Sequence, residues 1–415
     1  MGGEMKKENL LVLSGVILVA VMLVLMPFVD VRGEPASKEV KTLKIGGLLN
    51  FGWSLGKDSK DFLDVIVEDY NKKGGLVIGG ERYKIEWILY DTKLSSETGR
   101  AAAERLIFRD KVKFIIGDET IDAWIPLIEE NKVVACCTTA NPAVLSSKYK
   151  WFFMTANLQT SAPVAWGWFA KNFPHIKSWY GAYPDSLIGH VLEPRARKLA
   201  KLYGIKTAGT VFYPPNETDF SAIATKINAA KPDMFSTWGG GVVQDALLWK
   251  ALYENGWKTG GGQLFSPAGG NPETVIKMAP VEAIEGSIGS MPPWDLEPPP
   301  PVSKHIMELY KAKYKKWEYP NTLFVEGIFC LVSAFEQAGS IDPEGVAAVI
   351  GNGLRFETIN GPALMVAHKE LGGSTRTNDM LPTMFIQQVQ NGKQVLKAKV
   401  EPDEGYEYCK RYFGW

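Results

Sequence analysis

The stretch "VKFIIGDETIDAWIPLIEENKVVACCTTANP", residues 112–142, decides the reading of the fold. "VKFIIG" and "VVACC" are short apolar runs that read as strands, and residues 122–131 between them read as a helix. Strands separated by helices of this length point to a mostly parallel sheet with helices on both faces.

The same alternation continues outward. Toward the N-terminus, "LKIGGLL" (43–49) reads as a strand, and in "DFLDVIVEDYNKKGG" Phe62, Val65, Ile66 and Tyr70 recur at helical spacing until Gly74-Gly75 ends the helix. "YKIEWIL" alternates, with Tyr83, Ile85, Trp87 and Leu89 on one face, and a further helix runs through "SETGRAAAERLIFRD". Toward the C-terminus the rhythm restarts after "WFFMTA". Helix 161–172, strand "SWYGAY", helix 190–203, strand "TAGTVFY", helix 219–229, strand "DMFSTW" and helix 243–255 lead to the strand "QLF". Two such runs imply two α/β lobes.

The proline-rich "MPPWDLEPPPP" (291–301) continues neither helix nor central strand and reads as a crossover. Three more helices follow, the last in "DPEGVAAVIGNG", and then two strand-like runs, "TMFIQQVQ" and "QVLKAKV". The expected division is residues 41–156 plus 293–380 for the first lobe and 157–292 plus 381–415 for the second, with the chain ending in paired strands near the second. Several crossings between lobes make a hinge, which suits a ligand clamp.

The 415 residues exceed one ordinary core and suit two domains, and 46% apolar with 22% charged residues is a globular composition. Lys+Arg and Asp+Glu are equal at 46 each, so no net field draws the chain to nucleic acid or anionic lipid. Residues 1–33 place Lys6 and Lys7 ahead of an apolar run from Leu10 to Val29, the pattern of a secretory signal. The run is also long enough to span a bilayer, so an uncleaved anchor is the alternative. Export would permit disulfides, but Cys136, Cys137, Cys330 and Cys409 form neither a framework nor a metal spacing and read as buried free thiols.

Ligands of open α/β sheets lie beyond the carboxyl ends of the strands. The loops at those ends are "NFGWSLG", "GDETIDA" and "TTANP" in the first lobe and "YPDSLIG", "TWGGG" and "SPAGG" in the second. They are rich in Gly, Ser, Thr and Asn, with Trp53, Trp124 and Trp238 among them. Hydroxyls and bare amides can fix a polar end while indoles cover an apolar body, although core packing explains any one tryptophan equally well. "GWSLG" (52–56) also fits the Gly-x-Ser-x-Gly pattern of a hydrolase nucleophile, which would make Ser54 catalytic. Asn50-Phe51 loosen the required turn, and His175, His190, His305 and His368 lie in no context that marks a base, so a glycine-rich ligand loop is the better reading. No phosphate loop or His-Glu-x-x-His motif is present.

Taken in order, several segments resemble the exported solute-binding proteins of branched-chain amino-acid type ABC transporters, with the type I periplasmic binding fold. They are "LKIGGLLNFG", "EDYNKKGG", "ILYDTKLSSETGRAAAERLIFRDKVKFIIG", "VVACCTTANPAV", "YPDSLIG", "KPDMFSTWGGG" and "FVEGIFCLVSAFEQAGSIDPEGVAAVI", which together cover nearly all of the chain after the leader. The resemblance implies a non-enzymatic clamp in the periplasm, without cofactor or metal. It would act as a monomer that closes on a small solute and delivers it to a membrane permease. A ligand-sensing receptor subunit on the same fold is the first alternative and the Ser54 hydrolase the second.

By the same resemblance, a solute carboxylate would meet Thr120 in one loop and Thr139, Ala140 and Asn141 in the next, and Trp238 with Gly239 would face it from the second lobe. Two departures stand out. Where amino-acid binders of this kind place an acid to pair with the ligand's ammonium, this chain has Ala268, and where they often carry Tyr it has Ile188. A buried ammonium without a counter-charge is strongly disfavoured, so the bare loop "SPAGG" suits an organic acid, amide or aromatic carboxylate sandwiched by Trp53 and Trp238. Asp185 or Glu119 could replace the missing acid, which keeps an amino acid open.

Overall fold

The computed structural model describes residues 40–52, 54–239, 242–257, 263–266, 276–290, 293–317, 322–372 and 375–415. The expected leader, Trp53, Ala268 and the side chain of Ser54 lie outside the described part.

Strands β1 (Lys41–Leu49), β2 (Leu76–Ile78), β3 (Glu81–Asp91), β4 (Phe114–Gly117), β5 (Val134–Cys137) and β6 (Phe152–Met154) enter one sheet. Every residue of β4 and β5 is buried. A strand covered on both faces has no polar side to alternate with, which is why these segments are continuous apolar runs. Helices α1 (Ser54–Lys72), α2 (Ser96–Glu104) and α3 (Ile125–Asn131) connect them. α1 ends as its glycines predict, with Gly74 and Gly75 at φ +96° and +89°.

The second sheet takes β7 (Ser178–Pro184), β8 (Lys206–Tyr213), β9 (Met234–Thr237), β10 (Gln263–Ser266) and β11 (Ile288–Ser290), joined by α4 (Ser161–Asn172), α5 (Leu187–Leu202), α6 (Ser221–Ala230) and α7 (Val242–Glu254). Its core centres on Trp166, whose ring meets Trp179 and Phe265 edge-on at 5.6 Å each. α4 is buried along most of its length, so it shows no polar face.

After the proline-rich crossover, α8 (Pro301–Tyr314), α9 (Glu326–Ala338) and α10 (Pro343–Gly351) follow as expected. α9 lies close on the first sheet. A Cβ on Gly327 would sit 3.0 Å from the Cys136 carbonyl oxygen, and Phe335 packs edge-on against Phe114 at 4.7 Å.

Two features depart from the sequence reading. Between α10 and "TMFIQQVQ" the chain forms three further strands, β12 (Arg355–Thr358), β13 (Gly361–Val366) and β14 (Asp379–Pro382), which extend the first sheet beside β6. After β15 (Met384–Gln390) and β16 (Lys393–Val400), the chain does not end in paired strands but in helix α11 (Pro402–Phe413). The inward face of α11 is Gly405, Cys409 and Tyr412. The signals of this helix are nonetheless in the sequence, with Pro402, Asp403 and Glu404 in its first turn and Lys410 and Arg411 in its last, and the strand-like runs before it draw the reading away from them.

The first sheet has the order β12-β13-β14-β6-β5-β4-β1-β3-β2 and the second β16-β15-β11-β10-β9-β7-β8, the two α/β units expected from the sequence. The chain crosses between sheets after β6, after β11, and at Thr383 between β14 and β15. A hydrogen bond from Thr160 Oγ1 to the Met380 carbonyl, 2.9 Å, ties the first crossing to the third. All four cysteines are buried and free.

Candidate functional site

In each sheet the strand order reverses beside one strand. β1 has β3 on one side and β4 on the other, and β7 stands between β8 and β9. Loops leaving such neighbours diverge to opposite faces and open a crevice at the strands' carboxyl ends. The residues there are Asn50–Gly52 after β1, Asp118–Thr120 after β4, Asp185–Ile188 after β7 and Trp238–Gly239 after β9. Thr139–Asn141, after β5, adjoin the first set.

The first-lobe loops are held by their own side chains. Asn50 Oδ1 accepts from Gly52 N at 2.8 Å, and Asp91 Oδ1 accepts from Phe51 N at 3.1 Å. Asp118 is fully buried and accepts from Thr92 Oγ1 (2.5 Å), Thr120 Oγ1 (2.7 Å) and Thr120 N (3.0 Å). Burial pushes its carboxyl above the usual range despite those donors. Thr120 also accepts from Trp124 Nε1 at 3.3 Å, so its hydroxyl is engaged inside the lobe. In the next loop Thr139 Oγ1 accepts from Asn141 N at 3.1 Å, and Asn141 bridges outward, its Oδ1 accepting from Ala143 N and its Nδ2 donating to Asp122. Gln159 Nε2 reaches the Ala140 carbonyl at 3.4 Å from the first crossing.

The two acids weighed as substitutes for Ala268 differ in their surroundings. Glu119 is half-buried and accepts no hydrogen bond from a described residue; burial, then Asp118 and Asp122, raise its carboxyl above the usual range. Asp185 is exposed and bonded to His190 Nε2 at 2.8 Å. Glu119 is therefore the one of the two without a partner of its own among the described residues.

In the second lobe, Ser186 caps α5 by accepting from Gly189 N at 3.4 Å. A Cβ on Gly189 would lie 1.9 Å from the Pro184 carbonyl oxygen, so only glycine fits that turn, and Ile188 before it is 38% exposed. Trp238 is only 8% exposed and belongs to the lobe's core, which leaves little of it for a solute. Gly239 takes φ +91° beside Leu192 and Ile188. Beneath this loop, Thr237 Oγ1 donates to buried Asp245, a pair the sequence reading did not single out. Asp118 and Thr92 were missed as well. Their only sequence signal is a polar residue at the end of an apolar strand.

Among the described residues no histidine is bonded to the loop after β1. His190 meets Asp185, His305 meets Asp69 at 2.9 Å, and His368 is buried between Glu370 and Asp379. Among the described residues no group of His, Cys, Asp or Glu is arranged to hold a metal ion.

Residues 44–394 match the family profile described as periplasmic binding protein. The chain belongs to the periplasmic binding protein family. The relatives it resembles carry names of the branched-chain amino-acid type. The Leu/Ile/Val-binding protein BraC3 of Rhizobium johnstonii is 26% identical over 337 residues, covering 77% of this chain and 84% of that protein. Among solved structures, the leucine-binding protein LivK of Thermotoga maritima is 24% identical with a TM-score of 0.64, over 87% of this chain and 99% of that one. An ABC-transporter solute-binding protein from Rhodopseudomonas palustris, solved with 3,4-dihydroxybenzoic acid, is 21% identical with a TM-score of 0.64, over 87% of this chain and 98% of that one. At these identities the two structures establish the fold of this periplasmic binding protein and not its solute.

Proposed function

We propose that the protein captures a small organic solute at the paired crevices, outside the cytoplasm, and delivers it to the membrane permease of an ABC importer without altering it. The reading rests on one observation above all. The loops at both crevices present amides, hydroxyls and small residues braced by internal hydrogen bonds, and His190, His305 and His368 are each engaged by a carboxylate. Such preorganised polar groups bind an uncharged or anionic polar end without rearrangement.

The preferred solute is an organic or aromatic carboxylate, or an amide, because Ala268 supplies no charge for an ammonium. The dihydroxybenzoate held by the R. palustris protein shows that this fold accommodates such a ligand. The trait that favours the other reading, an amino acid, is Glu119, an acid at the first crevice without a hydrogen-bond partner among the described residues.

A thermal-shift screen of the purified protein against amino acids, aliphatic amides, and aliphatic and aromatic carboxylates decides between them. A solute at a hundredfold excess over its dissociation constant stabilises the folded state by about 2.7 kcal/mol. Stabilisation by carboxylates or amides alone, unchanged in Glu119→Gln, supports the preferred reading. Stabilisation by branched-chain amino acids that disappears in Glu119→Gln overturns it in favour of an ammonium held by Glu119. Labelling of Ser54 by a serine-directed probe would sink the transport reading altogether.

A further inference from the structure

Away from the crevices, a cavity of about 180 Å³ lies where the two sheets' elements meet the chain's first crossing. Its walls come from both lobes. Gln159 is on the crossing, Arg195 and Lys198 are on α5 of the second lobe, Glu370 follows β13 of the first, and Tyr412 and Phe413 close it from α11. Pro142, next to the Thr139–Asn141 loop, also lines it, so the cavity backs directly onto a loop of the solute crevice.

The charges in this cavity do not cancel locally. Glu370 is committed on both oxygens, Oε1 at 2.7 Å from His368 Nδ1 and Oε2 accepting from Trp415 Nε1 at 2.5 Å. Lys198 Nζ stands 4.2 Å from the centroid of the Tyr412 ring. Arg195, half-buried, donates no hydrogen bond to any described residue; burial lowers its pKa while Tyr412 and Asp379 attract it. A guanidinium has five donors in a planar fork that matches an oxyanion, and in this cavity the Arg195 fork has no acceptor among the described residues and stays open to solvent from which an anion can enter. The room left corresponds to about six waters at roughly 30 Å³ each, the scale of a small carboxylate or a phosphate.

We propose that this junction cavity is a second binding site, specific for a small oxyanion held by the Arg195 fork with Lys198 as its second cation. Because residues of both lobes line it and it abuts the Thr139–Asn141 loop, the anion binds one arrangement of the lobes better than another. It is therefore thermodynamically coupled to solute binding at the crevice, and the coupling is reciprocal. The site does not depend on which solute the crevice takes.

The test titrates the purified protein with sodium acetate and with inorganic phosphate at constant ionic strength set by chloride, following unfolding temperature and heat of binding. The expected result is saturable binding of at least one of the two, weakened about tenfold or more in Arg195→Met, as loss of a charged hydrogen-bonding partner implies, and largely retained in Arg195→Lys. Lys198→Gln, on an exposed position whose folding is not at stake, weakens it less. Absence of saturable binding in the wild type, or undiminished binding in both Arg195→Met and Lys198→Gln, overturns the proposal. Thr139→Ala at the crevice separates this site from the solute site. Anion binding that is lost there and kept in Arg195→Met places the anion in the crevice, which sinks the junction site and leaves the transport reading standing.

Discussion

His368 and Asp379 are both buried and meet at 2.9 Å, Nε2 to Oδ2, across the connection that joins β13 to β14. The other ring nitrogen, Nδ1, faces Glu370 Oε1 at 2.7 Å, and Phe413 and Trp415 of the C-terminal segment pack edge-on against the imidazole. Burial alone would disfavour the imidazolium. The bonds to two carboxylates outweigh it and bring the histidine to about 9. Glu370 is correspondingly held below the ordinary carboxylate range.

The linkage follows from the sign of that shift. A histidine whose folded pKa lies above its unfolded value near 6.5 contributes stability that is complete below about 6.5 and is lost as pH rises through about 9. Stability should therefore fall between about pH 7 and 9, with a slope of at most about 1.4 kcal/mol per pH unit from this group. Denaturant unfolding across that range checks it. His368→Gln should be less stable at pH 6 and should lose this part of the slope, and NMR should find the imidazole of the native protein still charged at pH 8. A neutral imidazole at pH 7 contradicts the assignment.

Asp245 has the opposite chemistry and the same direction. Buried, with Thr237 as its one hydroxyl donor among the described residues, it is pushed up to about 6. An acid whose folded pKa is raised adds stability below its unfolded value near 3.8 that is lost as pH climbs to about 6. At neutral pH the protein thus carries a poorly compensated buried charge. Asp245→Asn keeps an acceptor for Thr237 and removes the charge, so unfolding at pH 7 should show it equal to or more stable than the wild type. A loss of more than about 1 kcal/mol, the scale of a net hydrogen bond, would show that the ionised form is an essential partner.

The alternation of strands and helices was legible because parallel strands buried on both faces leave unbroken apolar runs, as in β4 and β5, and because helices such as 161–172 are bounded by turn residues. The β12–β14 segment was not. "RFET" is only four residues long and exposed at alternate positions, and "GPALMV", though mostly buried, is interrupted by Pro362, so their strand character comes from pairing with β6 through β14. For the site, the sequence located the loops, since strand ends can be read from pattern alone. What each side chain does there is set by tertiary neighbours. Thr120, expected to offer its hydroxyl to a solute, gives it to Asp118 and receives Trp124, and Trp238, expected to cover a solute, is mostly core.

The thiols give a direct check on the interior. Cys136 lies against Cys330 under α9, Cys409 is held against the Thr160 carbonyl at 3.7 Å, and burial pushes the thiols of Cys137, Cys330 and Cys409 far up. Buried, protonated thiols are poor nucleophiles. A disulfide-exchange reagent should therefore titrate essentially none in the native protein, and all four, Cys136, Cys137, Cys330 and Cys409, once it is unfolded in guanidinium. Fewer than four in the unfolded, unreduced chain would mean that a disulfide forms on export.

Gly56 ties the first crevice to its helix. A Cβ at this position would lie 2.0 Å from the carbonyl oxygen of Asn50 and under 3 Å from two more of its backbone atoms. The contact is backbone against backbone, so no side-chain rotation relieves it, and the start of α1 must move away from the loop that Asn50 and Asp91 brace. Overpacking of this kind costs about 1–3 kcal/mol. Gly56→Ala should therefore destabilise the protein by that amount in denaturant unfolding and also weaken the solute found in the thermal-shift screen, because the amides at residues 51 and 52 shift with the loop. If Gly56→Ala lowers stability but leaves solute affinity untouched, the loop after β1 is structural, and binding must be carried by the loops after β4, β5, β7 and β9.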